Sequence, residues 1–409
     1  MKTITIKGGT PLRGTVRVSG SKNAALPIIF ATLVTRGVSE IHRLPLIGDT
    51  VIALELIEEL GATVRRSGDI TYIDTTTLLY SDPSCARVAA IRASTYLLGA
   101  CLARFGICRV GCFGGCAFSD RPIDLHLAAC EAFGGNINGE KITAKHLKGA
   151  EIRLPIPSVG ATINSLILAA AADGESKIYG AASEPHVSAL IDFLISAGAS
   201  IKSDNGIITV RGGELHGGKI TVIGDMIEAG TFLAAGLITD GSVTVTGCDG
   251  NELLSYLSAL RSIGAKVIVS ERGINARIGD RTYQADIIAE AYPGFPTDLQ
   301  PIIAPLLATC SGGTILDRVW QSRYGYLENL KPMGLSYSLS ESGAQIYPSP
   351  PSAAHVTSPD LRGGMAAVLY ALAARGESRV SMAERILRGY EDPISKFRTL
   401  GANISLEDT

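Results

Sequence analysis

A short motif recurs six times along the chain: a helical run stopped at a glycine and followed at once by a few strand-like residues. It reads EELGATV, EAFGGNI, ISAGASI, RSIGAKV, KPMGLSY and RTLGANI, with glycines Gly61, Gly134, Gly198, Gly264, Gly334 and Gly401 set 64 to 73 residues apart. A helix C-terminus commonly ends on a left-handed residue, which glycine adopts without a Cβ clash, and the alternating residues that follow suit a strand. Six units of about 68 residues therefore fill the 409 positions. At 409 residues the chain is too long for one compact core, so two domains or a repeat architecture are expected.

Each unit opens with a second helix: SGSKNAALPIIFATL, IRASTYLLGACLA, SVGATINSLILAAAA, IEAGTFLAAGLI, FPTDLQPIIAPLLA and DLRGGMAAVLYALAA. All six are apolar nearly all round, so they belong inside a domain with sheet around them. A Gly-turn and a strand follow, as in DGSVTVTG. The unit reads as helix, strand, helix, strand, the class is α/β, and six units divide into two domains of three. Net charge is −2 with no basic run, which argues against a nucleic-acid surface. The N-terminal MKTITIKGGT has no apolar core of a signal sequence, and no stretch reaches about 18 apolar residues. The expected setting is the cytoplasm, with no membrane partner.

At or just before the starts of the six buried helices lie the chain's unusual polar residues: Lys22 and Asn23, Arg92, Ser158 and Thr162, Glu228, Asp298, and Arg362. Free N–H groups and the helix dipole favour anions there. Ordinary capping accounts equally well for Ser158, Thr162 and Glu228. Lys22 and Arg92 are harder to explain as caps, because a cation opposes the dipole unless an anion lies between them. The stretch GCFGGCAFSDRP, residues 111 to 122, raises a separate question. Gly114 and Gly115 precede Cys116, with Asp120 and Arg121 close behind, so Cys116 is either a working thiol on a mobile loop or one of eight buried cysteines. The cysteine spacing is poor for zinc, so no metal and no cofactor is expected.

Taken together, SGSKNAALP, RAS, GGCAFSDRPIDLH, PSVGAT, EAGTF, FPTD and DLR…RGYE resemble the UDP-N-acetylglucosamine enolpyruvyl transferase family. The sister family that makes 5-enolpyruvylshikimate 3-phosphate shares the six-unit architecture but lacks the GGC loop. The resemblance implies an EPSP synthase-like inside-out α/β barrel: two pseudo-threefold domains, 21–226 and 1–20 plus 227–409, with the active site at their interface, in a monomer. It implies transfer of enolpyruvate from phosphoenolpyruvate to the 3-hydroxyl of UDP-N-acetylglucosamine by addition and elimination, the first committed step of peptidoglycan precursor synthesis. The two substrates bring roughly five negative charges, which a chain of this net charge must meet with locally gathered cations.

By the same resemblance, Lys22, Arg121 and Arg388 grip the phosphate of phosphoenolpyruvate, and Arg323 with Arg388 brackets its reacting end and carboxylate, with Arg362 in the same basic set. Asp298 is the base candidate. Cys116 is the candidate acid toward C3 or nucleophile, and the residue the epoxide fosfomycin would alkylate. Asn23 and Asp298 meet the amino-sugar. Arg92, the segment Arg121, Pro122, Ile123, Asp124 and Leu125, Ser158, Val159 and Val319 surround the uridine diphosphate. Asp49 and Asp360 match supporting carboxylates. The pattern departs at Phe113 and Ser119 in the thiol loop, at Ser183 and His186, and at Met226. Two other readings fit those departures: a paralogue acting on another nucleotide or sugar, and a weakly active sensor of UDP-N-acetylglucosamine.

Overall fold

The structure is a computed structural model that describes residues 1–109, 111, 113, 122–281 and 283–408. Cys116, Ser119 and Arg121 lie outside the described residues. No helix among them is long and apolar enough to cross a membrane.

The all-round apolar segments form the helices Lys22–Ala31, Leu97–Phe105, Val159–Ala171, Met226–Ile238, Gln300–Thr309 and Leu361–Ala373. From Ile227 to Ile238 every residue is buried, and Ala161 to Ala170 likewise. A helix with no polar face is stable only when covered on all sides. Polar caps hold its entrance: Ser21 and Ser158 accept from Ala24 and Ala161 amides, while Asp225 and Asp360 each accept from two amides of the first turn.

The second helix of each unit, Gly48–Glu59, Asp124–Ala132, Pro185–Ser196, Leu254–Ser262, Gly325–Leu330 and Pro393–Thr399, runs into the repeat glycine. All six glycines are left-handed, with φ between +89° and +112°. The unit is richer than the sequence reading of helix, strand, helix, strand, because the strand after each of the first five glycines turns back on itself. In the first unit Thr63–Ser67 pairs antiparallel with Ile70–Asp74, and the return strand then pairs with Val38–His42. The first hairpin strand is mostly exposed, whereas the return strand alternates inward and outward.

Five four-stranded sheets and one three-stranded sheet result among the described residues. The fold is α/β, with buried helices and small sheets around them. The described chain separates into two compact units, Met1–Ser19 with Gly224–Thr409, and residues 20–113 with 122–223. Each has its own apolar core. Distant segments close each unit. Lys219–Thr221 pairs parallel with Val38–His42 in one. In the other, Lys2–Gly8 fits between Gly376–Ser381 and Asn403–Asp408, taking the place a return strand holds elsewhere.

The glycine stops are not equally demanding. A Cβ on Gly264 would lie 1.8 Å from the Asp280 carbonyl oxygen, whereas one on Gly401 meets nothing within 4 Å. Gly401→Ala should cost about 1–2 kcal/mol, the left-handed penalty alone. Gly264→Ala, in the same unit, should cost clearly more. Urea unfolding of the two variants checks the order, and equal midpoints would refute it.

Candidate active site

In the unit of residues 20–223, Lys22 is the first residue of its buried helix, and its Nζ lies 2.8 Å from Oδ2 of Asp49, in the first turn of helix Gly48–Glu59. The lysine side chain is 14% exposed and the carboxylate 6%. Asp49 thus supplies the counter-charge that the sequence reading left to a ligand. The pair leaves the ammonium at the edge of solvent with its position fixed. Asn23 follows it, half-buried.

Arg92 begins a short 3₁₀ turn, Arg92–Tyr96, and reaches the Pro122 carbonyl at 3.4 Å. Burial holds its guanidinium below the usual arginine value. Ile123 precedes helix Asp124–Ala132, in which Asp124 and Leu125 are the first two residues. Ser158 caps helix Val159–Ala171, and Val159 is its first residue. Thr162 belongs to the scaffold, since its Oγ1 accepts from the Ala182 amide.

Two side chains that the sequence reading passed over join these segments. The buried Asn164 amide accepts from the Gly99 N–H at 2.8 Å, donates to the Thr95 carbonyl at 3.0 Å, and lies 2.6 Å from Nδ1 of His126. Burial, with Arg92 nearby, pushes His126 down to about 4, and Asp124 only partly opposes this. His126 stands in the quoted stretch RPIDLH, one place beyond the segment assigned to the nucleotide. Asn164 was hidden as the one amide in an apolar helix.

In the other unit, Asp298 lies between two guanidiniums. Arg323 Nη1 is 2.8 Å from Oδ1, while Arg362 donates Nε and Nη2 to Oδ2 at 3.2 and 3.0 Å. The Arg323 and Arg362 side chains are 7% and 2% exposed, the carboxylate 30%. The cations are therefore sunk and the carboxylate is the accessible part. Arg362 also lies over the Tyr390 ring, 5.2 Å from its centroid. Burial opposes its charge, but Tyr390, Asp298 and Asp225 outweigh that and hold it above its ordinary value.

Asp317 fixes the loop that carries Arg323: it accepts from Thr297 Oγ1 at 2.6 Å and from the Val319 and Trp320 amides at 2.9 and 2.8 Å. Val319 itself is exposed. Asp360 caps helix Leu361–Ala373 through the Arg362 and Gly363 amides, which sets the start of the helix that bears Arg362. Arg388 caps helix Glu384–Leu387, half-buried. Glu228 pairs with Lys396 at 2.5 Å and belongs to the scaffold. Tyr390 stands in the quoted RGYE, two places after Arg388, whereas Asp317 carried no signal beyond its residue type.

Among the described residues, Cys101, Cys108, Cys130 and Cys310 are buried, as small apolar side chains are, and Cys248 is half-buried. Cys101 beside it and burial raise the Cys108 thiol, and burial pushes Cys130 up to about 12, so both resist ionisation. Cys85 departs from the expectation of a buried thiol, being exposed and disulfide-bonded.

Residues 6–397 match the model of the family described as EPSP synthase (3-phosphoshikimate 1-carboxyvinyltransferase). A UDP-N-acetylglucosamine 1-carboxyvinyltransferase of Halothermothrix orenii is 39% identical over 408 residues, 98% of both chains. A UDP-N-acetylglucosamine 1-carboxyvinyltransferase 2 of Staphylococcus aureus is 37% identical over 413 residues, covering 99% of this chain and 98% of the other. Among solved structures, the enolpyruvyl transferase NikO from Streptomyces tendae superposes with a TM-score of 0.90 at 23% identity, covering 100% of this chain and 99% of the other. An EPSP synthase from Acinetobacter baumannii does so with 0.74 at 18%, covering all of both chains. These two likenesses establish the EPSP synthase-like fold.

The buried imidazole gives a pH signature. Between pH 6.5 and 4 the unfolded chain takes up a proton at His126 that the folded chain refuses, so folding stability falls as pH falls through that window. The contribution should reach about 3 kcal/mol by pH 4. Urea midpoints of wild type and His126→Asn across pH 4 to 7 should converge toward the acid end. Parallel curves would show that His126 titrates normally.

Proposed function

Because this chain belongs to the EPSP synthase (3-phosphoshikimate 1-carboxyvinyltransferase) family, we propose that it makes enolpyruvyl-UDP-N-acetylglucosamine from UDP-N-acetylglucosamine. The chain is an enolpyruvyl transferase that takes its enolpyruvyl group from phosphoenolpyruvate; the acceptor and the residue roles are what this reading adds. The observation that carries it is 36–39% identity, over nearly the whole of both chains, to proteins named for that acceptor. The setting that goes with it is the cytoplasm and the peptidoglycan precursor.

In this reading Lys22, Arg121 and Arg388 hold the phosphate, and Arg323 meets the carboxylate. Asp298 takes the proton of the sugar 3-hydroxyl as its oxygen attacks C2, and Cys116 gives a proton to C3. Then C3 loses a proton, the C2–O bond to phosphate breaks, and the double bond re-forms. The pairings suit these roles. Asp49 fixes the Lys22 ammonium before any ligand arrives, and two guanidiniums fix the Asp298 carboxylate while leaving it accessible. Arg92, Pro122 to Leu125, Ser158, Val159 and Val319 are assigned to the nucleotide, and Asn23 to the sugar.

A different nucleotide or sugar acceptor is the competing reading, favoured by His186 where the pattern has a carboxylate and by Met226 where it has an arginine. His186 lies buried in the first turn of helix Pro185–Ser196, and Met226 opens helix Met226–Ile238.

Phosphate release from phosphoenolpyruvate over a panel of sugar nucleotides decides between them. UDP-N-acetylglucosamine should give the highest kcat/KM, and a better acceptor would replace the proposal with its rival. Lys22→Ala or Arg388→Ala should lower kcat/KM by about 10- to 100-fold, since each removes a charge-assisted contact to phosphate. In a separate measurement, peptide mapping after fosfomycin treatment should find Cys116 modified and the buried Cys101, Cys108 and Cys130 untouched. Labelling spread over those three would exclude Cys116 as the activated thiol.

A further inference from the structure

The Asn164 amide has its polarity dictated by the main chain. The Gly99 N–H can only donate, so the oxygen Oδ1 faces it, and the Thr95 carbonyl can only accept, so Nδ2 faces that. The remaining Nδ2 hydrogen then points at Nδ1 of His126, 2.6 Å away, and Nδ1 must accept. A protonated Nδ1 would bring two hydrogens together. The imidazole is thereby held neutral, with its proton on Nε2.

That second nitrogen has no hydrogen-bond partner among the described residues, although His126 is 6% exposed. It lies against Gly160, the second residue of helix Val159–Ala171. A Cβ there would be 2.8 Å from Nε2 and 2.6 Å from Cε1, so only glycine leaves room for the ring. The Nε2–H therefore stands beside the open first turn of a 13-residue helix, where amide donors are also unspent.

We propose that Asn164 acts as a positioning residue that fixes His126 in its Nε2-protonated tautomer, so that Nε2–H donates to a diphosphate oxygen of the nucleotide sugar. The inference rests on the reading of the acceptor as a UDP-sugar. Arg92 and Asp124 are the charged groups that act on the ring. Arg92 also favours the neutral form, so the donor carries no net charge of its own.

Two measurements test it. Nitrogen-15 NMR of the histidines in the ligand-free protein reads the tautomer without any substrate: Nε2–H at pH 7 is expected, and Nδ1–H or a titrating imidazolium near pH 6.5 would overturn the assignment. The His126→Asn variant separates scaffold from ligand contact, because its amide oxygen can take the place of Nδ1 while nothing replaces Nε2. It should keep the wild-type fold by circular dichroism, yet bind UDP and UDP-N-acetylglucosamine about tenfold or more weakly by calorimetry. Unchanged affinity in this folded variant would sink the donor role. Failure of the wild type to bind either nucleotide would instead remove the acceptor reading and leave the tautomer result standing.

Discussion

A helix that is apolar on every side cannot touch water, and six such helices set every other choice in this fold. Each must be wrapped, and the chain wraps it with small sheets and a second, one-sided helix from the same repeat. Burial of the flanks leaves the ends as the places where polar groups belong. The N-terminal ends are where Ser21, Ser158, Asp225 and Asp360 spend their side chains as caps. They are also where Lys22, Asp298 and Arg362 stand. The concentration of unusual chemistry at helix starts follows from the packing problem before any ligand enters.

Charge at those ends is handled by pairing. Lys22 has Asp49, and Asp298 has Arg323 and Arg362. Taking an ion out of water costs several kcal/mol, which a single partner in good geometry only offsets. The pairs are therefore weak evidence for stability and stronger evidence for placement. A lysine fixed by a buried aspartate spends little entropy when an anion arrives. The same logic covers neutral groups: Asn164 has its amide fully committed, and in committing it chooses the proton position on His126.

The sequence made the six-fold plan readable because a left-handed helix stop has a one-residue signature, and all six glycines carry the positive φ that the signature requires. The return strands were less visible, since each is joined to an exposed partner strand by a two-residue turn such as Gly68 in RRSGDI. Ring closure was invisible to local pattern. Lys219–Thr221 is three residues long, and its pairing with Val38–His42 spans most of the unit. At the site, residue type revealed the charged groups but not their partners. Lys22 read as a cation waiting for a ligand because Asp49 lies 27 positions away and meets it only once two helices pack. His126 and Asn164 were illegible for the same reason, each being unremarkable until the other is placed beside it.

Glu228 shows how far a helix-start residue can differ from its neighbours in purpose. The chain passes between its two units at residues 19–20 and 223–224, and the backbone on each side of those passages is stitched. Asp225 N–H donates to the Ser19 carbonyl at 3.0 Å, and Ser21 N–H to the Ile223 carbonyl at 2.7 Å. Glu228 accepts from the Ser19 amide at 2.8 Å and from Lys396 at 2.5 Å, and Lys396 also donates to the Ser19 hydroxyl at 2.6 Å. Burial raises Glu228 to about 7 even with that ammonium beside it. So costly a carboxylate is hard to explain as a contribution to stability. What it does provide is direction: one side chain binds the first passage to helix Met226–Ile238 and to helix Pro393–Thr399, three segments that the repeat alone would not hold in register.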